Sequence, residues 1–157
     1  MADDSEQDRR ACHLIVRGIK KSDEPKITIT NILAEKTNST LTQDDLKFVI
    51  KLTTTDAAPD TETYKIGFHE RRKRDEIFAR RTKLKGTDTY ISEDLTIRRS
   101  KLAYEARRRT KEIAGSSTWT HDGKIYFKDS HNSKPRAITC VIDLTTELSD
   151  HSAQEKK

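Results

Sequence analysis

The hydrophobic positions of this chain fall in short runs with two different periods, and these periods separate strands from helices. Alternation or β-rich composition predicts strands at 13–19, 47–53, 62–69 and 89–91. The third strand has the clearest pattern, because Tyr64, Ile66 and Phe68 share one face while small or polar residues occupy the other. These three side chains are expected to be core residues that pack under helices. Base stacking on an open sheet face is the alternative.

Two helix-compatible segments lie between these strands. Residues 26–36 follow Pro25 and place Ile29 and Leu33 on one face, and residues 70–83 end shortly before Gly86, where a C-terminal cap is expected. The resulting order, β-α-β-β-α-β, is that of the ferredoxin-like fold, in which both helices cover one face of a four-stranded antiparallel sheet. RNA-recognition motifs use this arrangement and stack bases on the opposite face.

The remaining pattern predicts a helix and a hairpin. Thr96 can cap a helix over 97–113, and Asp122-Gly123 between the β-forming runs 118–120 and 124–128 is a strong hairpin signal. Trp119 and Tyr126 are then expected near each other, and 137–142 is a further β-like run. The predicted fold class is α+β: a ferredoxin-like, RNA-recognition-motif-type domain followed by a small C-terminal domain of a helix plus a β-hairpin.

These elements define the expected domain organisation. A disordered N-terminal tail is expected over 1–10, the motif-like domain over 11–92, the helix-hairpin domain over 93–148 and a second disordered tail over 149–157. No signal peptide or transmembrane run is visible in the sequence. Two cysteines, Cys12 and Cys140, are too few for a disulfide scaffold, so a cytoplasmic or nuclear location is expected.

Charge is concentrated in the middle of the chain. The 157 residues carry a net +5, but residues 70–111 contain fifteen Arg and Lys against seven Asp and Glu, an excess of eight, which leaves −3 for the rest. Such an excess favours a polyanionic partner, and the planar fork of arginine matches phosphate oxygens. The cations of the two helices are expected to converge on one groove. For any single arginine, the alternative is a solvated face paired with nearby carboxylates.

The candidate nucleic-acid-binding residues are those basic positions together with the hairpin aromatics. Trp119 and Tyr126 are candidates for stacking on unpaired bases, with stapling of the hairpin to the preceding helix as the alternative. The full candidate set is Arg17, Arg71, Arg72, Arg74, Arg80, Arg81, Lys83, Lys85, Arg98, Arg99, Lys101, Arg107, Arg108, Arg109, Trp119, Lys124, Tyr126 and Lys128.

Catalytic chemistry has no signature in the sequence. The five histidines are scattered without metal-ligand spacing, the glycines are isolated, and the carboxylate pairs at 44–45 and 93–94 suit helix starts. No enzymatic activity, catalytic residue, metal, cofactor or small-molecule substrate is therefore predicted. The expected partners are single-stranded RNA or DNA, with self-association as a further mode.

One stretch of the chain resembles a known family. Ile91, Glu93, Asp94, Leu95 and Thr96 precede an Arg-rich helix, and Trp119 is followed by the run DGKIYFK at 122–128. This succession resembles the RNA-binding region of first-open-reading-frame proteins from animal non-LTR retrotransposons, and the C-terminal region of baculoviral few-polyhedra proteins. The resemblance covers roughly residues 12–130 and is most specific over 86–129.

The resemblance implies a divergent RNA-recognition motif and a small C-terminal domain that grip single-stranded nucleic acid between them. It also implies nucleic-acid chaperone activity and assembly of a ribonucleoprotein particle. Members of the family carry an oligomerising coiled coil, whereas this sequence has no sustained heptad pattern. The alternative function, from a different class, is a protein-interaction module that docks its basic helices on an acidic partner or an anionic membrane, as in a viral accessory protein.

Overall fold

The computed structural model of this protein describes residues 2–54, 58–140, 143 and 144, which form an α+β architecture with antiparallel sheets. In chain order, the helices and strands are α1 (Ala2–Arg9), β1 (His13–Lys20), α2 (Pro25–Lys36), β2 (Leu46–Leu52), β3 (Thr61–Phe68), α3 (Arg71–Ala79), β4 (Tyr90–Glu93), α4 (Ile97–Thr110), β5 (Ser117–His121), β6 (Lys124–Lys128) and β7 (Arg136–Ile138). Two 3₁₀ helices lie at Gln43–Asp45 and Arg81–Leu84.

These elements belong to two compact units. The four-stranded unit comprises Asp8–Asp94 and contains the sheet β2-β3-β1-β4. The three-stranded unit comprises the residues through Gln7 together with those from Leu95 onward, and it contains the sheet β5-β6-β7.

The core of the four-stranded unit lies between one face of its sheet and the helices α2 and α3. Strand residues such as Leu14, Val16 and Ile66 form one buried cluster with Leu33 of α2 and Ile77 of α3. Alternate residues of a strand point to opposite faces, so this face is the one that the helices cover.

The three aromatic and aliphatic residues of β3 belong to this same core. Tyr64, Ile66 and Phe68 are all at most 3% exposed, so the prediction that they are core residues is confirmed. Burial and a hydrogen bond to the Glu62 carboxylate raise the pKa of the Tyr64 hydroxyl to about 12. Base stacking on these side chains is therefore excluded.

The three-stranded unit is a helix packed on one face of a small sheet. Leu102 and Ala106 of α4 are buried against Ile125 and Phe127 of β6 and Ile138 of β7. The Thr96 hydroxyl accepts a hydrogen bond from the Arg99 amide at 3.3 Å, which confirms the predicted N-terminal cap of α4.

Two predicted boundaries differ from the structure. The N-terminal residues were expected to be disordered, but Ala2–Arg9 form α1, because Asp3 and Gln7 hydrogen-bond to Thr96 and so tie the segment to the start of α4. The helix expected over 70–83 ends at Ala79, and after Arg80 the chain continues as a 3₁₀ helix.

The C-terminal predictions are only partly covered by the described residues. Strand β7 spans Arg136–Ile138, whereas the β-like run was expected to extend to residue 142. Residues 141 and 142 and the expected tail over 149–157 lie outside the described residues.

Candidate nucleic-acid interface

The hairpin of β5 and β6 brings two aromatic rings together. Asp122 and Gly123 connect the strands and have φ values of 53° and 74°, the left-handed pair that a tight two-residue hairpin turn requires. This turn sets a register in which Trp119 lies directly opposite Tyr126. Their rings are stacked, with centroids 6.0 Å apart and planes 15° from parallel. The prediction that the two rings lie near each other is confirmed.

The two rings lie on the face of the sheet that points away from α4. Ile125 and Phe127, the neighbours of Tyr126 in β6, are at most 2% exposed and pack in the cluster with α4. Because strand residues alternate between faces, Tyr126 and its cross-strand partner Trp119 point the other way. Both are half-buried. The positions that staple the hairpin to the helix are therefore those of Ile125 and Phe127.

Two lysines flank the rings on the same face. Lys124 lies opposite His121 and Lys128 lies opposite Ser117, one pair on either side of the Trp119–Tyr126 pair. Within the described part of the chain, neither lysine side chain forms an ion pair. We call Trp119, Tyr126, Lys124 and Lys128 the aromatic face.

Helix α4 carries its exposed cations on a second surface of the same unit. Lys101, Arg107 and Arg108 are exposed, and they lie on the side of the helix opposite to the buried Leu102 and Ala106. The Nη2 atom of Arg108 lies 3.4 Å from the Glu105 carboxylate. The less exposed Arg109 places its Nη1 atom 3.5 Å from the Glu112 carboxylate. Such exposed pairs contribute little stability and leave the guanidinium available to other anions.

Arg98 and Arg99, at the start of α4, are engaged by the N-terminal segment. The Arg99 side chain is 14% exposed, and its Nε and Nη2 atoms lie 2.9 Å from Asp3 and 2.6 Å from Asp4. Its Nη1 atom donates to the Gly123 carbonyl at 2.8 Å. Arg98 reaches Asp3 at 3.2 Å and the Thr139 carbonyl at 2.7 Å. In this arrangement all three side-chain nitrogen atoms of Arg99 donate to groups of the same unit, so the expected phosphate contact would have to replace some of these hydrogen bonds.

Arg74 is wrongly placed in the predicted set, because it is a structural residue of the four-stranded unit. It is 4% exposed, and its Nη2 atom lies 2.7 Å from the buried carboxylate of Glu93. Its Nε atom donates to the His13 carbonyl at 3.2 Å, and its guanidinium lies 5.2 Å from the centre of the Phe78 ring. A guanidinium enclosed in this way cannot contact a phosphate.

Arg80 and Arg81 are also committed within the unit. Arg80 donates to the carbonyls of Thr37 and Asn38, which are left unpaired where α2 ends. Arg81 donates to the Phe78 carbonyl at 3.1 Å, and its guanidinium lies 4.2 Å from the centre of that ring. Both residues thus make contacts around the end of α3, but the Arg80 side chain is still 37% exposed, and the assignment of the two residues as phosphate contacts stays a prediction.

The other candidate cations of the four-stranded unit are exposed. Arg71 lies 3.5 Å from Asp75, and Arg17 is exposed on β1. Arg72, Lys83 and Lys85 are exposed and form no ion pair with any described residue. The four-stranded unit does not gather these cations into one groove, because Arg17 lies on the sheet whereas Arg72 projects from the outer side of α3.

The expected convergence of the two basic helices on one groove stays a prediction, because α3 and α4 belong to different units. Within the three-stranded unit, the exposed cations Lys101, Arg107 and Arg108 of α4 and the aromatic face lie on opposite sides of the helix–sheet pair. The arrangement that the structure does assemble is the aromatic face.

Several side chains on the face of the four-stranded sheet opposite the helices were not predicted as site residues from the sequence. Tyr90 is 64% exposed and lies directly opposite Arg17 across β1 and β4. Phe48 packs edge-on against His13 with ring centroids 5.0 Å apart, and it occupies the space above Gly67, where a Cβ would lie 2.2 Å from the ring. Because neighbouring residues of a strand point to opposite faces, an inward-facing Ile91 would have indicated from the sequence that Tyr90 points outward.

Comparisons with known proteins give no family assignment. A scan against protein-family models found no match, and a search of curated proteins found none with significant similarity. Within the described residues, no helix is both long enough and apolar enough to cross a membrane. The same residues contain no cluster of three His, Cys, Asp or Glu side chains placed to hold a metal ion.

Proposed function

We propose that this protein is a non-enzymatic binder of single-stranded nucleic acid, RNA foremost, and that the aromatic face is its main contact surface. The observation that carries the proposal is the stacked pair of Trp119 and Tyr126 flanked by Lys124 and Lys128 on the sheet face that points away from α4. Aromatic rings beside cations are the combination that proteins use to hold unpaired bases and their phosphates.

The chemistry of this face suits binding with little sequence preference. Every base presents a π-face to a ring, so stacking on Tyr126 or Trp119 does not discriminate among bases. The two lysines act as mobile point charges that screen phosphate repulsion. A protein that binds strands in this way can promote annealing and strand exchange, which is the basis of the proposed chaperone role.

The fold of the four-stranded unit supports the proposed family. Its elements follow the order β1-α2-β2-β3-α3-β4, its sheet has the order β2-β3-β1-β4, and both helices lie on one face. This connectivity is expected of a ferredoxin-like, RNA-recognition-motif-type domain. Together with the resemblance, it favours a protein related to retrotransposon first-open-reading-frame proteins that assembles ribonucleoprotein particles in the cytoplasm or nucleus.

The proposal is tested by removing one ring of the pair. Tyr126→Ala should weaken binding of a labelled oligouridylate by about 1–3 kcal/mol, the range measured for loss of one base–aromatic stack, as read by fluorescence anisotropy. Tyr126→Phe should bind like the parent, because the ring remains. The matched control is Tyr104→Ala, which removes a 60%-exposed tyrosine from the outer side of α4 in the same unit.

The salt dependence of binding provides a second criterion for the same titration. Affinity should fall steeply as salt rises, and Lys124→Ala with Lys128→Ala should reduce the slope of log K against log salt by about 1.4, at about 0.7 per phosphate contact. Equal losses for Tyr126→Ala and Tyr104→Ala, or an affinity that does not change with salt, would count against the aromatic face.

A second candidate function, docking on an acidic protein, rests on the outer side of α4. Ile97 is 73% exposed and Tyr104 is 60% exposed, and helical spacing places both on one stripe with Lys101 and Arg108. Exposed apolar side chains between cations suit an acidic amphipathic segment. If the protein docks on an acidic partner, Tyr104→Ala should weaken binding of that partner. If it binds nucleic acid through the aromatic face, Tyr104→Ala should leave oligouridylate binding unchanged, so Tyr104→Ala and Tyr126→Ala together distinguish the two functions.

A further inference from the structure

The N-terminal segment of the chain places two carboxylates against the basic start of α4. The Asp3 carboxylate accepts hydrogen bonds from the Thr96 hydroxyl at 2.7 Å and from Arg99 Nε at 2.9 Å, and it lies 3.2 Å from Arg98 Nη1. The Asp4 carboxylate lies 2.6 Å from Arg99 Nη2. Four donors from one turn of helix therefore converge on two acidic side chains.

These donors have the chemistry of a phosphate site. Two guanidinium groups and a hydroxyl at the start of a helix are the groups that commonly bind phosphate oxygens, because the fork and the helix dipole both favour an anion. The carboxylate oxygens of Asp3 and Asp4 occupy the positions that phosphate oxygens would take. The Thr96 and Arg99 hydrogen bonds lower the pKa of the Asp3 carboxyl, as expected for an anion held in a cationic site.

The site opens into a cavity that is large enough for more than a carboxylate. Its volume is about 620 Å³, and its lining joins Arg98 and Arg99 to Lys124, a member of the aromatic face, and to the apolar side chains of Leu102 and Ile138. Pockets of this size accept small organic ligands. A phosphate at Arg98 and Arg99 would thus have a further cation and apolar surface beside it.

The outer ion pairs of the site can be exchanged. Asp3 and Arg99 are mostly buried, with side chains 21% and 14% exposed, but Arg98 and Asp4, which pair with them, are 58% and 67% exposed. Ion pairs at such positions contribute little to stability because water and salt screen them. A polyanion that offers several phosphates can therefore compete for the same donors.

We propose that Thr96, Arg98 and Arg99 form a phosphate-binding site that the chain's own Asp3 and Asp4 occupy until a nucleic-acid phosphate displaces them. The ligand class, a phosphodiester, rests on the proposed function. The N-terminal segment is then an internal competitor, and the free protein binds nucleic acid more weakly than its basic residues alone would allow.

The test compares two variants with the same change of charge. Asp3→Asn with Asp4→Asn removes both carboxylates and keeps their shape, whereas Asp8→Asn with Asp23→Asn neutralises two exposed carboxylates that contact no described cation. The first should bind oligouridylate about fivefold more tightly than the second, the scale of one exposed ion pair. Adding Arg98→Gln to the first should remove the gain.

A probe without bases separates the site from the proposed function. Inorganic pyrophosphate should raise the Tm of the Asp3→Asn, Asp4→Asn variant more than that of the Asp8→Asn, Asp23→Asn variant. If this holds while no variant binds oligouridylate, the site stands and the proposed function fails. If both double variants respond alike to pyrophosphate and to oligouridylate, only overall charge matters and the inference is overturned.

If the Asp3→Asn, Asp4→Asn variant does not fold, a single substitution provides the test. Should the double variant lose its folded circular dichroism spectrum, Asp4→Asn is compared with Asp8→Asn, since the Asp4 side chain is largely exposed and both residues lie on α1. A gain in oligouridylate affinity confined to Asp4→Asn supports the inference, and equal affinities contradict it.

Discussion

Arg74 lies enclosed between α3 and the four-stranded sheet, where its guanidinium meets Glu93, Asp75 and the His13 carbonyl. Arg72, two residues away on the same helix, is exposed and forms no ion pair with any described residue. The two arginines thus have different environments. Arg74 is a buried cation that neutralises a buried carboxylate, whereas Arg72 is accessible to solvent and ligands.

This difference predicts opposite outcomes for the same substitution. Arg74→Met removes the guanidinium that lies 2.7 Å from the buried Glu93 carboxylate, and it should lower the free energy of unfolding by about 3–5 kcal/mol. Arg72→Met should change it by less than about 0.5 kcal/mol, as expected for an exposed position. Urea unfolding followed by circular dichroism measures both.

A double substitution tests the cause of the Arg74 effect. Glu93→Met added to Arg74→Met removes the buried carboxylate as well and should recover most of the lost stability, because a buried ion pair can often be replaced by apolar side chains. If Arg74→Met cost no more than Arg72→Met, the buried pair would not be a structural requirement.

The residue scale is also where prediction from sequence was weakest. Arg74 and Glu93 are 19 positions apart, and Arg99 meets Asp3 across 96 positions. In a count of charges over residues 70–111, an arginine appears as surplus positive charge when the carboxylate that neutralises it is distant in the sequence. The contacts of Arg80 could not be predicted for a similar reason: its acceptors, the carbonyls of Thr37 and Asn38, have no sequence signature.

At the scale of elements, the hydrophobic pattern was a reliable guide. Periods of two and of 3.6 residues predicted β3 and α2 to within a few residues, because burial of one face governs both. Helix α4 and the hairpin were predicted as closely from the Thr96 cap and the Asp122-Gly123 turn. Helix α1 was missed, since its sequence is polar throughout and its contacts with Thr96 depend on tertiary structure. The end of α3 was misplaced because Gly86 suggested a later cap.

Strand β1 contains an irregularity that only one residue type fits. Its register against β3 shifts between Val16 and Ile19, and Gly18 there has a φ of 79°. A Cβ at Gly18 would lie 1.9 Å from the carbonyl oxygen of Asp88, which is backbone and cannot move aside cheaply. Gly86 has nearly the same φ, 80°, but no atom within 4 Å of the corresponding position.

Alanine substitution at Gly18 and at Gly86 therefore distinguishes the energetic cost of a steric clash from that of backbone strain. Gly86→Ala should cost about 1–2 kcal/mol, the penalty for a side chain in the left-handed region. Gly18→Ala should cost about 1–3 kcal/mol more, because overpacking adds to the same strain. Urea unfolding of both variants gives the difference directly. Equal losses would mean that the β1 bulge yields to the added methyl group.

At the scale of the whole molecule, net charge is a poor guide to where a ligand binds. Residues 70–111 hold the excess of eight positive charges, yet several of their arginines serve the fold. The aromatic face lies outside this segment, on a hairpin whose sequence is short and only moderately basic. Sequence patterns predicted that Trp119 and Tyr126 lie together. Only the structure shows which cations are buried and which are accessible to a ligand.

The most direct test of the central claim uses the single tryptophan of the chain, Trp119. Its emission reports on the aromatic face alone, so titration with unlabelled oligouridylate should quench it, and the quenching should saturate at the Kd found by anisotropy. Tyr104→Ala should leave the quenching unchanged. Binding seen by anisotropy without any change in Trp119 emission would contradict the account, because the nucleic acid would then lie elsewhere on the protein.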